Sequence, residues 1–86
     1  MKLDRRLVRI VLETLYEDFF PRDCERSVLN SRVLKKTKRK EVSFIDAALQ
    51  YLEDKDFVEQ STGAGGEQRY RITALGIDAF EGEETV

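Results

Sequence analysis

Six basic side chains, Arg32, Lys35, Lys36, Lys38, Arg39 and Lys40, fall within nine positions with no acid among them, and Arg69 and Arg71 stand two apart further along. Clustered cations of this kind attract a polyanion, either phosphates of a nucleic acid or carboxylates of an acidic protein. A lysine run at a helix end also serves as solvated charge that compensates the helix dipole. Chemistry of other kinds has little to work with. The chain has no His and a single Cys24, so it lacks an imidazole base, a Cys-based catalytic pair, the usual zinc sets and an internal disulfide. Cys24 reads as a small apolar residue near a helix start. The glycines Gly63, Gly65 and Gly66 are not followed by the lysine and hydroxyl of a phosphate-binding loop. A non-enzymatic protein without cofactor or metal is expected.

The charge is uneven. Fifteen basic against seventeen acidic residues give a net −2, and removing the six-residue basic cluster leaves nine against seventeen, a net −8 for the rest. One basic patch on an acidic body excludes a protein that coats DNA uniformly. At 86 residues the chain is expected to form one domain, residues 1–81, near the size at which a partner chain often adds stability, with an acidic frayed tail at 82–86. No apolar run approaches the roughly 18 residues of a membrane span, and the opening MKLDRRLVRIVLETL has charges threaded through it, so a cytoplasmic location is expected.

The positioning elements follow from periodicity. From Leu3 to Phe20, Leu3, Leu7, Val11, Leu15 and Phe19 form one i,i+4 row, and Val8, Leu12 and Tyr16 the next, the mark of a helix. Asp4 is placed to cap it, Leu3 and Val8 to staple it, and Pro21 to end it. Ten of its eighteen residues are apolar; Tyr16, Phe19 and Phe20 either contact a second subunit or close the core. Cys24, Val28, Leu29, Val33 and Leu34 imply a second helix that starts at Asp23, Ser27 or Asn30 and ends near Lys35 and Lys36. Ser43 opens a third helix with Asp46 in a capping-box-like position. Phe44, Ile45, Ala48, Leu49, Tyr51 and Leu52 make its core face, and Asp46, Ala47, Gln50, Glu53 and Asp54 its solvent face.

After the third helix the period changes from 3.6 to 2. Asp56 stands where the chain must reverse, a left-handed position usually given to Gly or Asn. Strands 57–61 and 68–72 flank a flexible glycine-rich tip, with Arg69 and Arg71 on the outer face and Tyr70 and Ile72 inward. Thr73 caps a last helix to about Phe80, whose Leu75, Ile77, Ala79 and Phe80 are expected to pack on the first helix.

The order helix, helix, helix, hairpin, helix is an α+β architecture, mainly α with a small hairpin. The run ALQYLEDKDFVEQ…RYRITALGIDAFE resembles the recognition-helix and wing region of small winged helix-turn-helix transcription regulators. Ala48, Leu49, Leu52, Glu53, Phe57 and Val58 match the helix end, and Tyr70, Ile72, Thr73 and Gly76 the strand-to-helix turn. About half the chain is covered. Asp56 departs from the Gly usual there, and the segment Thr37 to Val42 is more basic than usual.

The resemblance implies double-stranded DNA as partner. The third helix would enter the major groove with Ser43, Asp46, Ala47 and Gln50, while Lys35, Lys36, Lys38, Arg39 and Lys40 contact phosphates and Arg69 and Arg71 act from the wing. Gln50 can pair with adenine and Asp46 can accept from cytosine; a merely solvated Gln50 fits equally. A homodimer is expected because paired half-sites supply affinity. Asp46, Glu53 and Asp54 oppose DNA on the reading face, and a winged helix that docks an acidic protein partner is the second reading. The DNA reading requires the lysine-rich corner and the wing arginines to face one polyanion.

Overall fold

The computed structural model describes residues 3–39 and 41–82. Helix α1 runs Arg5–Thr14 and continues as a π-helical turn, Leu15–Phe19. Strand β1 is Cys24–Glu25, α2 Arg26–Thr37, α3 Ser43–Asp54, β2 Val58–Thr62, β3 Gln68–Ile72 and α4 Ala74–Glu81. Among the described residues no helix is long and apolar enough to cross a membrane.

Asp4 caps α1 as its position implies, its carboxylate accepting from the backbone N–H of Arg6 at 3.0 Å and of Leu7 at 3.4 Å. The single helix expected from Leu3 to Phe20 is instead two kinds of helix. Its last turn widens, with Phe20 N–H bonding Leu15 O at 3.0 Å. Phe20 itself is extended, as a residue before proline must be. Where α1 meets this turn, the buried Thr14 hydroxyl donates to Ile10 O at 2.8 Å and accepts from Lys36 Nζ at 3.1 Å, so a polar group in the core is satisfied.

Residues 24 and 25 are a strand rather than the beginning of the second helix. Cys24 pairs with Tyr70 and Glu25 with Arg69, making β3 the centre of an antiparallel sheet ordered β1-β3-β2. Periodicity cannot reveal a two-residue strand whose partners lie 46 and 44 positions away. Burial raises the Cys24 thiol to about 11, with Arg69 and Arg32 pulling the other way; at neutral pH it is a protonated, shielded thiol.

Helix α2 has none of the three proposed caps. Its N-cap is Glu25, without a side-chain bond to the helix; Asp23 turns to Arg69 and Asn30 to Arg26. Ser43 likewise lies inside α3 rather than capping it, behind Val42 as N-cap. The core face of α3 is as read: Ile45, Ala48, Leu49 and Leu52 are buried, with Phe44 and Tyr51 packed at the margin.

Asp56 adopts the left-handed conformation, φ 62°. The hairpin then begins one residue later than expected, with Val58 opposite Ile72 and Thr62 opposite Gln68. Its tip is braced. Gly63 N–H bonds Glu67 O at 2.8 Å, Gly65 N–H bonds the Glu67 carboxylate at 3.0 Å, and Gly66 takes φ 84°. Thr73 caps α4, accepting from Gly76 N–H at 3.1 Å and donating to Asp56 O at 2.6 Å. Ala79 is buried, and Ile77 and Phe80 pack at the core margin. Leu75 does not join them; it is 52% exposed, on the outer side of the first turn.

Candidate nucleic-acid interface

The basic corner divides into side chains facing solvent and side chains held by the fold. Lys35 and Lys38 are exposed and make no ion pair among the described residues. Lys38 ends α2 in the left-handed region, φ 58°. Lys36 turns inward, its ammonium 3.2 Å from the Asp18 carboxylate and 3.1 Å from the Thr14 hydroxyl. Arg32 shares Asp18 at 3.1 Å and lies over the Phe19 ring. Arg39 stacks over Phe44, 5.3 Å from the ring centre, and is 3.9 Å from Asp4. Lys40 lies outside the described residues.

Ser43 is exposed at the start of α3. It borders a cleft with Leu3, Asp4, Leu7, Arg39, Glu41, Phe44 and Ala47. The beginning of α1, the α2–α3 turn and the beginning of α3 therefore meet at one edge of the molecule.

Of the three α3 carboxylates expected to face solvent, Asp46 and Asp54 are exposed and bonded, whereas Glu53 is half-buried, its Oε1 shielded and without a hydrogen-bond partner among the described residues. Asp46 is ion-paired with Arg26. Gln50 donates its side-chain amide to Asp54 at 3.0 Å. Arg26, whose side chain is 19% exposed, also donates to Asn30 at 2.9 Å and lies 3.5 Å from the Tyr70 hydroxyl. One guanidinium thus joins α2, α3 and β3. A charge so placed costs desolvation, and its multiple acceptors offset that cost. Arg26 was not among the sequence candidates, because its partners lie 20 and 44 positions away.

The wing arginines are also paired. Arg69 contacts Asp23 at 3.0 Å and Glu67 at 3.2 Å. Its hydrogen bond to Asp23 raises its already high pKa. The Glu67 carboxyl is lowered, first by its own backbone N–H and then, against desolvation, by Arg69. Arg71 holds Glu59 across the hairpin at 2.6 Å. Both arginines line a groove of about 560 Å³ with Phe19, Pro21, Cys24 and Val28, which Arg22, Asp23 and Glu25 also border. Lys36, Arg39 and Ser43 line other clefts, and no ion pair among the described residues joins the two basic groups; Arg26 bridges their elements.

The three aromatics considered for a subunit contact separate. Tyr16 packs edge-on against Phe20 and Phe80 and donates to Glu81. Phe19 lies under Arg32. Phe20 is 41% exposed.

A three-helix core, a helix-turn-helix formed by α2 and α3, and a β2–β3 wing completed by β1 define a winged helix. Solved structures agree. A transcriptional regulator from Clostridium thermocellum superposes with a TM-score of 0.72 at 21% identity, covering 90% of this chain and 75% of that one. A PadR family transcription regulator from Clostridium difficile R20291 gives 0.68 at 20% identity, covering 88% and 81%. No family model and no curated protein matches the chain.

Proposed function

We propose that this winged helix is a non-enzymatic, DNA-binding transcription regulator. Lys35, Lys38, Arg39 and Lys40 contact backbone phosphates, and Lys36, engaged by Asp18 and Thr14, stiffens the corner that presents them. Ser43, Ala47 and Gln50 face the bases, and Arg69 and Arg71 approach the flanking phosphates from the wing. The observation that carries this reading is the Arg26–Asp46 pair. It neutralises the first acid within α3, so less negative charge faces the edge shared with Ser43, where Asp4 and Glu41 also lie, and Asp46 acts in the fold rather than as a cytosine acceptor.

The molecule acts as a homodimer through the end bearing Tyr16, Phe19 and Phe20. The structural neighbours, titled as transcriptional regulators, support the general reading. Docking of an acidic protein is the second reading. It is favoured by the groove between Phe19, Val28 and the wing arginines, where Val28 is 40% exposed.

Titration of mixed-sequence duplex DNA over a range of salt tests the choice. With about five of the six proposed cations neutralising phosphates, the slope of log K against log salt is expected near roughly −4 to −5, and the triple replacement of Lys38, Arg39 and Lys40 by Ala should reduce its magnitude by about 2 to 3. Absence of salt-sensitive binding by the wild type at low ionic strength would remove the regulator reading.

A further inference from the structure

Helix α1 opens with two cations, Arg5 and Arg6, and has no acid in its first turn. Cations are unfavourable there, because the N-terminal end of a helix carries partial positive charge. Arg5 has a structural occupation: its guanidinium lies 4.8 Å from the centre of the Tyr51 ring and donates to the Tyr51 hydroxyl. Arg6 is exposed and has no ion pair or side-chain hydrogen bond among the described residues.

Arg6 lines a cleft of about 220 Å³ with Asp4, Leu7, Ile10, Lys36, Thr37 and Arg39. Asp4 is the sole acid lining it, and its carboxylate is already divided between two backbone N–H groups and Arg39. The ammonium of Lys36 is held by Asp18 and Thr14, so Arg6 and Arg39 supply the available charge. Asp4, Leu7 and Arg39 also line the neighbouring cleft that contains Ser43 and Ala47. The two clefts thus adjoin at Asp4, Leu7 and Arg39, one reaching Glu41 and the start of α3 and the other Arg6.

We propose that Arg6 grips a further backbone phosphate of duplex DNA, next to the one that Arg39 contacts, extending the interface from the helix-turn-helix onto the first turn of α1. Arginine suits this role because its planar fork of N–H donors matches phosphate oxygens. The inference rests on the DNA-binding reading and adds a contact that the basic run does not contain.

The test compares wild type, Arg6→Ala, Arg6→Lys and Lys55→Ala in binding a short fluorescent duplex of mixed sequence across salt concentrations. Lys55 is an exposed cation at the far end of α3 without an ion pair among the described residues, about 18 Å from its start, so its loss changes net charge equally away from the cleft. Arg6→Ala should flatten the salt slope by about 0.9, one phosphate's contribution, with an unchanged or slightly higher thermal midpoint, since a first-turn cation is removed. Arg6→Lys and Lys55→Ala should keep the wild-type slope. A wild-type slope in Arg6→Ala, or equal flattening by Lys55→Ala, overturns the contact while leaving the regulator reading standing. A wild type without salt-sensitive binding removes both.

Discussion

Gly76 lies where the start of α4 meets the carbonyl of Phe57, and a methyl group built on its Cα would come within 2.2 Å of that oxygen. The same carbonyl accepts Thr73 N–H at 3.0 Å, so it cannot withdraw without loosening the α4 cap. Gly76→Ala should destabilise the protein by about 2–3 kcal/mol, read as a lower urea midpoint with unchanged m-value; an unchanged midpoint would show that the junction gives way freely. Several single residues were legible in the chain because their constraints are local. Asp4 and Thr73 cap within three positions, and Asp56 must turn a helix into a strand. Ser43 and Asp46 were misread for the opposite reason: their spacing fits a capping box, but Arg26 reaches Asp46 from another helix.

At the scale of elements, that arginine fixes how α3 sits against the wing. A double-mutant cycle of Arg26→Gln and Asp46→Asn in urea unfolding should give a coupling of about 0.5–1 kcal/mol, modest because Asp46 is largely exposed. Arg26→Gln should cost more than Asp46→Asn, since it also releases Asn30 and Tyr70. Zero coupling would mean that the pair does not order α3. Helices and hairpin were evident from their periods, but β1 was not. A strand of two residues has no period, and it exists because β3 offers an unpaired edge beside Cys24 and Glu25.

At the scale of the whole molecule, the proposed dimer draws on aromatic surface at the end of α1. Tyr16 is braced by Phe80 and Glu81, which leaves Phe20 as the accessible member. Sedimentation equilibrium should show concentration-dependent dimers that Phe20→Ser weakens by about tenfold or more, the loss expected for an anchor worth about 1–2 kcal/mol. A wild type that remains monomeric at every concentration would place the function in a single module or in a different partner. The tail expected at 82–86 falls mostly on residues outside those described.

The order of residues alone determined the run of helices, the hairpin, the buried faces and the density of positive charge before α3, because these depend on neighbours a few positions apart. Tertiary structure decided which charges remain available. Folding brought Asp18 to Lys36, Asp23 to Arg69 and Arg26 to Asp46, pairings set by packing across 18 to 46 positions rather than by any local pattern. It also brought Arg6 and Arg39 to one cleft, since only the approach of α1 to the α2–α3 turn gathers residues so far apart in the chain.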